Sequence, residues 1–413
     1  MKVRLTDKWI YICAIVNALL MIILVGYSTN YDSMSYIKAW DESWSKGIID
    51  EFRTPIYPCF LGLMKLIAGK YFLTATMIVQ YIIFIISIRY FQKIASGMIN
   101  SHIVVWWMTL LYAVLPSTST WSNYILTETF ALTGIVFLFN NLLVFKHKLN
   151  TSSVIWVTFW LTFLIFLRPA FIYLIPAIAI AWILLLNDNK KCAIYGLIGI
   201  VLVGILELGY CAKFKERHGV FATSSVSTIN DTYTALQYGL MDESYTDNPK
   251  YKKFIKEHNG TIVGVPSMVS YMEQYGLNTM NNAVKKSKNS HLVDWSLITI
   301  KHFKEASSFS LLLTGAGIFT LTNLITFKHL YIFLFVYLVV ILIKTIKTRK
   351  LSKISIILWV TGVGNLLLIL IGAQNAWNRL LLPSLPLFMI MFGQAFNYIK
   401  FNINGNTKET EIE

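Results

Sequence analysis

Charge is scarce in this sequence. Of its 413 residues only 14% are Asp, Glu, Lys or Arg, against roughly 25% in a soluble globular domain. A single water-facing globule is therefore excluded, and length gives no domain count. Cysteine is also scarce. The four residues Cys13, Cys59, Cys192 and Cys211 are scattered without metal-ligand spacing, and read as small buried hydrophobes. There is no Gly-rich loop with a P-loop lysine, no H-E-x-x-H and no G-x-S-x-G, which argues against P-loop nucleotide chemistry, zinc peptidases and serine hydrolases. An Asp-x-Asp triplet is missing. "NDN" at 187–189 reads as a turn between apolar stretches.

What the chain does have is apolar residues in blocks. Hydrophobic residues make up 55% of it and aromatics 15%, with mean hydropathy +0.57. Only helices or closed barrels satisfy their backbone groups in lipid. Blocks of about 17–25 residues suit helices. The fold class expected is an all-α polytopic membrane protein. About ten spans are placed near 9–28, 71–91, 101–117, 123–145, 152–168, 169–187, 192–211, 329–346, 354–372 and 381–399. The N-terminal stretch has basic residues before an apolar run but no A-x-A cleavage site, so it is expected to stay as the first span.

Net charge is +15, and most of the surplus sits in short loops. It reads as cytoplasmic anchoring charge and not as a nucleic-acid surface. Lys2, Arg4 and Lys8 precede the first span, and Lys344–Lys353 follow the eighth. Ten spans put these clusters inside, with both termini cytoplasmic. The stretch 307–327 is apolar enough to span, but spanning would move Lys344–Lys353 outside. It is read as an interfacial or re-entrant helix on the outer face. The expected layout is a membrane module 1–211 with a polar first outer loop 29–70, an extracytoplasmic segment 212–327, further membrane helices 328–400 and a cytoplasmic tail 401–413.

Ionisable residues at membrane edges are costly and are functional candidates by default. In this topology five of them meet at the outer leaflet: Asp32, Arg53, Glu128, Arg168 and Arg379. Singly, each has a plain reading as a loop acid, a helix-start acid or a snorkelling anchor. Together they suit one chemistry. A carboxylate can take a proton from a hydroxyl, and a second can orient the acceptor or hold a cation. Guanidiniums donate paired hydrogen bonds to phosphate. Asp32 and Glu128 are the catalytic candidates. The substrate implied is a sugar on a polyprenyl phosphate, its tail in the bilayer.

Motifs in the same places resemble those of the GT-C membrane glycosyltransferases. "YDSMSY", with Asp32 and Tyr36, precedes "FRTPIYP", with Arg53, Pro55, Tyr57 and Pro58. "ILTETFAL", "FLRPAF" and "NRLLLPSLP" follow in the family's order. The resemblance implies a GT-C-like fold with outer-face juxtamembrane helices and one large extracytoplasmic loop. It implies a lipid-phosphate-linked sugar donor and inverting transfer to a glycan, lipid or protein acceptor. It makes Asp32 the expected catalytic carboxylate, with Tyr36, Arg53, Tyr57, Arg168 and Arg379 binding substrate. It implies a bacterial plasma (inner) membrane protein. Relatives include protein O-mannosyltransferases and lipid A aminoarabinose transferases. This chain departs from both, having Asp32-Ser33 in place of an Asp-Glu pair.

No cofactor is assigned, a divalent cation being left open. Two alternatives also stay open. A polysaccharide polymerase would use an oligosaccharide on a diphosphate. A transporter would show internal repeats and mid-membrane charges, of which Glu207 is the main candidate. In the segment 212–306, Tyr233, Tyr238, Tyr245 and Trp295 are candidates for sugar stacking or for a packed core.

Overall fold

The computed structural model describes residues 5–143, 150–308, 310–313, 321–372 and 377–403. Helices lie at every stretch expected to span. They are α1 (Leu5–Leu24), α4 (Phe72–Met98), α5 (His102–Val114), α7 (Glu128–Leu143), α8 (Thr151–Leu167), α9 (Leu174–Leu184), α10 (Lys190–His218), α16 (Phe327–Thr348), α17 (Lys353–Gly372) and α19 (Leu385–Ile403). Between them run α2 (Tyr31–Glu42), α3 (Ile56–Ala68), the single turn α6 (Pro116–Ser119) and α18 (Trp377–Leu381). The segment after α10 holds α11 (Val226–Gln237), α12 (Pro249–His258), α13 (Val265–Tyr275), α14 (Leu277–Ser290) and α15 (Leu292–Ser308).

Among the described residues five segments are long and apolar enough to cross a bilayer, or six if α5 and the turn after it count as one span bent by 61°. Pro116 lies at that bend, and proline disfavours helix in the residue before it. The apolar helices at 128–143, 151–167 and 169–184 are shorter. The protein is a multi-pass membrane protein. α10 shows why: Ile198, Val201, Leu202, Ile205 and Leu206 stand exposed on it, and on a helix this long and apolar such a stripe suits lipid.

Every residue of α7 except Asn141 is buried. A helix apolar on all sides belongs at the centre of a bundle. It packs on α4 and α8. One large core spans all these helices. A second core is built from α11 to α15 and the end of α10. At 29 residues α10 is roughly 44 Å long, more than the roughly 30 Å of bilayer hydrocarbon. Its last turns reach the second core through Phe214. The expected tail begins inside α19, which runs to Ile403; residues 404–413 lie outside the described ones.

One expectation is overturned. Among the described residues, the stretch between α15 and α16, within the expected 307–327, is not an interfacial helix; 309 and 314–320 lie outside them. It contains two antiparallel strands, β1 (Ser310–Leu313) and β2 (Leu321–Thr326), paired Ser310 to Thr326 and Leu313 to Leu321. The sequence between them holds Gly315 and Gly317, which weaken a helix. β2 carries Thr322, Ile325 and Thr326, whose branched side chains favour a strand.

Candidate active site

Local sequence sets the positions of the two acids. Asn30 caps α2: its side chain accepts from the Ser33 N–H, and the Ser33 hydroxyl accepts from the Asn30 N–H, both at 3.0 Å. This reciprocal capping starts the helix at Tyr31 and puts Asp32 in its first turn, where the dipole favours an anion. Glu128 likewise stands in the first turn of its helix, α7. A parallel bridge joins Ser28 to Tyr124. The Ser28 N–H donates to the Asn123 carbonyl at 2.8 Å, and the Ile125 N–H to the Ser28 carbonyl at 3.0 Å. Each acid lies four positions after its bridging residue, so two helix starts carry their carboxylates to one place.

The arginines come from three other elements. In the first loop Asp50 Oδ1 accepts from the N–H groups of Phe52, 2.9 Å, and Arg53, 2.7 Å. The Thr54 hydroxyl donates to the Leu167 carbonyl at 3.1 Å, tying this loop to the end of α8. Pro169 forces the residue before it out of the helix. Arg168 is accordingly extended, with φ −151° and ψ 125°. Arg379 comes from α18.

The five groups form one continuous chain of ion pairs. Arg53 meets Asp32 Oδ1 at 2.7 Å, and Arg379 meets Asp32 Oδ2 at 2.8 Å. Arg379 Nε lies 3.1 Å from Glu128 Oε1, and Arg168 donates to that oxygen at 3.3 Å. The Arg379–Glu128 contact is one of charge: the Nε hydrogen is not aimed at the carboxylate. Glu128 is only 2% exposed in its side chain, and its Oε2 is buried with no hydrogen-bond partner among the described groups. Burial pushes the Asp32 carboxyl up, but the Arg53 and Arg379 guanidiniums outweigh it and hold it down at about 2.

The two tyrosine candidates buttress this chain. The Arg53 guanidinium stacks on the Tyr36 ring at 4.2 Å, a cation–π contact. Tyr57 meets Tyr36 edge to face at 5.0 Å. The Ser35 hydroxyl accepts from Arg53 Nε at 2.8 Å and donates to the Asp32 carbonyl at 2.8 Å. Sequence reading missed Ser35, and it missed Gln80. The Gln80 side chain is fully buried in α4. It accepts from the Tyr57 hydroxyl at 2.8 Å and donates to the Ser122 and Tyr124 carbonyls at 2.9 and 2.8 Å. It thereby ties α3 to the segment that leads into Glu128. Its signal was an amide inside an apolar run.

The remaining candidates lie elsewhere. Tyr233 is in the second core, and Tyr238, Tyr245 and Trp295 pack against it. Glu207 is buried in α10 with both carboxylate oxygens unpartnered among the described groups, apart from the ion-pair chain. As for a cation, no group of three His, Cys, Asp or Glu among the described residues could hold a metal. The carboxylates of Asp32 and Glu128 face guanidiniums in this arrangement.

No protein-family model matches the sequence, and no curated protein does. Solved structures match the fold. Two are of the Archaeoglobus fulgidus oligosaccharyltransferase. The complex with Zn and sulfate has TM-score 0.50 and 12% identity over 94% of this chain and 51% of that one. The form tethered by a disulfide to an acceptor peptide with the NVT sequon has TM-score 0.50 and 10% identity over 96% and 50%. A third, AglB from the same organism with an inhibitory peptide and a dolichol-phosphate, has TM-score 0.49 and 11% identity over 97% and 51%. The chain spans about half the length of the structures it matches. At this identity the likeness is one of fold alone.

Proposed function

We propose that this protein is a glycosyltransferase that moves a sugar from a polyprenyl-phosphate donor to an acceptor outside the cytoplasm, with inversion. The observation that carries the reading is the ion-pair chain from Arg53 through Asp32, Arg379 and Glu128 to Arg168. Three guanidiniums against two carboxylates leave a surplus of positive charge at the border of an apolar bundle. Such a surplus suits one anionic phosphate.

In this reading the acceptor hydroxyl gives its proton to Asp32. Its oxygen bonds to the anomeric carbon as the bond from that carbon to the phosphate oxygen breaks. The electron pair leaves on the polyprenyl phosphate, where Arg379, with Arg53 or Arg168, stabilises it. Glu128 Oε2, buried and without a hydrogen bond among the described groups, accepts from the acceptor and orients it.

The ion pairs add a condition. A carboxylate held at about 2 is a weak base at neutral pH. The donor phosphate competes for the same guanidiniums. As it draws Arg53 and Arg379 from Asp32, it raises the basicity of that carboxylate. Donor binding thus readies the base.

The accompanying topology is ten spans, cytoplasmic termini and an outer-face site in a bacterial plasma membrane. The segment after α10 is extracytoplasmic. Lys353 pairs with Asp188 at 2.8 Å, so two loops expected inside share one face. Glycan, lipid and protein acceptors all fit the reading.

The test is turnover of a panel of polyprenyl-phosphate sugars by purified protein, with a membrane lipid extract as acceptor. Wild type should release polyprenyl phosphate, and Asp32→Asn should lower the rate about 10²–10⁴-fold, as expected for losing a general base. Release that survives the substitution would remove Asp32 from the role. Turnover of diphosphate-linked oligosaccharides alone would make the protein a polymerase.

A further inference from the structure

The first outer loop passes from one core to the other as a strap. Residues 48–54 form neither helix nor strand, so no regular ladder of backbone bonds holds them. Other groups pin them one after another. His218 Nε2 donates to the Ile49 carbonyl at 3.0 Å. The Ser43 hydroxyl donates to Asp50 Oδ2 at 3.0 Å, and the Ser225 N–H to the Glu51 carbonyl at 2.9 Å. Ile49 and Phe52 pack against the second core. The Trp44 indole N–H donates to the Arg53 carbonyl at 3.0 Å, and Thr54 is tied to the end of α8. Arg53, the first guanidinium of the ion-pair chain, is carried by this pinned segment.

Two of the pins lead to one helix. His218 is the last residue of α10. The Trp44 ring stacks on Tyr210 of α10, with centroids 6.5 Å and planes 20° apart. Tyr210 in turn meets Phe166 edge to face at 5.4 Å, two residues before Arg168. From Tyr210 to His218 is eight residues, about 12 Å along a helix. From Ile49 to Arg53 is four residues, about 13 Å of extended chain. The two lengths match, so one helix holds both ends of the strap.

We propose that His218 and Trp44 are positioning residues that fix the backbone of Arg53, so that only its side chain moves when a phosphate binds. The inference rests on the proposed function and adds to it that the end of α10, where the second core begins, helps to build the phosphate site. The guanidinium itself is met by Asp32, Ser35 and Tyr36. Asp32 is the partner that a donor phosphate replaces. The pins on the backbone outlast that exchange. Without them Arg53 would have to be ordered again by each phosphate, and ordering a loop residue costs affinity.

The experiment uses the full chain in phosphatidylcholine nanodiscs. It compares wild type, His218→Leu, His218→Gln and Trp44→Phe, each with and without Arg53→Ala. Hydrogen exchange over 48–54, read by mass spectrometry, should be faster in His218→Leu and Trp44→Phe. His218→Gln keeps a side-chain N–H for the Ile49 carbonyl and should exchange as wild type does. Retention of radiolabelled polyprenyl monophosphate should weaken about 3–10-fold in His218→Leu and in Trp44→Phe, as for the loss of one hydrogen bond. His218→Gln should restore it. In the Arg53→Ala background neither His218→Leu nor Trp44→Phe should weaken it further, because each acts through Arg53. A loss of the same size in both backgrounds would mean a general loosening of the fold and would overturn the positioning role. Unchanged exchange, or faster exchange with unchanged retention, would overturn it and leave the proposed function standing. No retention by wild type would overturn the proposed function and the positioning role together.

Discussion

The two cores of this protein treat charge in opposite ways. The membrane core holds five ionisable side chains in one network at its edge, and Glu128 is 2% exposed in its side chain. The second core, from Phe214 to Ile298, links no ions into a chain; its one half-buried pair among the described residues is Lys288–Asp231 at 2.7 Å, and the ions around it are at the surface. Lys253–Glu257 at 3.8 Å and Lys213–Glu216 at 2.8 Å are exposed pairs one helical turn apart. Its interior is aromatic, with Tyr251, Phe254, Tyr271 and Tyr275 in mutual ring contact. Burying ions costs several kcal/mol each before pairing repays it, and an apolar replacement is often as stable. A region that links five at least half-buried ions, Glu128 fully buried among them, has a use for them beyond stability. The second core shows what the same chain does where stability alone is at stake.

Substitutions can break or sharpen this contrast. The largest effect is expected for Arg168→Ala, which leaves Glu128 buried with only the contact to Arg379. It should cost about 3 kcal/mol, seen as a lowered Tm in detergent, together with weaker binding of polyprenyl phosphate. In the second core Ser287 donates to the Leu240 carbonyl at 2.8 Å and accepts from Trp295 at 3.3 Å. Ser287→Ala should cost about 1 kcal/mol in the same thermal measurement and leave lipid-phosphate affinity unchanged. Lys253→Ala removes an exposed pair and should shift stability by less than about 0.5 kcal/mol. If Lys253→Ala cost as much as Arg168→Ala, the distinction between the two regions would fail.

The same physics explains what the sequence could tell. Apolar blocks mark helices wherever lipid is the solvent, so α1, α4, α10 and α17 stand close to their expected places. Asp32, Arg53, Glu128, Arg168 and Arg379 stand out because an ion in a greasy chain is rare, and the structure puts them in ion-pair contact. The pattern of pairing was not legible. That Arg379 would reach two carboxylates depends on how α18 lies against α2 and α7, and helical periodicity does not encode which helices meet. The Gln80 bracket stayed hidden for the same reason, since its three partners are 23, 42 and 44 positions away. The strands β1 and β2 were read as helix because a short apolar run looks alike in both states. The docking of the first loop on the second core, through the Ile49 carbonyl to His218 at 3.0 Å and the Ser225 N–H to the Glu51 carbonyl at 2.9 Å, also had no local signal.

The central claim is that Asp32 and a donor phosphate compete for the same guanidiniums. It is tested most directly by the affinity for polyprenyl monophosphate of wild type, Arg379→Ala and Asp32→Asn, measured side by side. A charge-assisted hydrogen bond contributes about 1.5–3 kcal/mol, so the account predicts that Arg379→Ala weakens binding by about 10–100-fold. Asp32→Asn, which frees Arg53 and Arg379 from their carboxylate, should tighten it. Weaker or unaltered binding by Asp32→Asn, or unaltered binding by Arg379→Ala, would contradict the account.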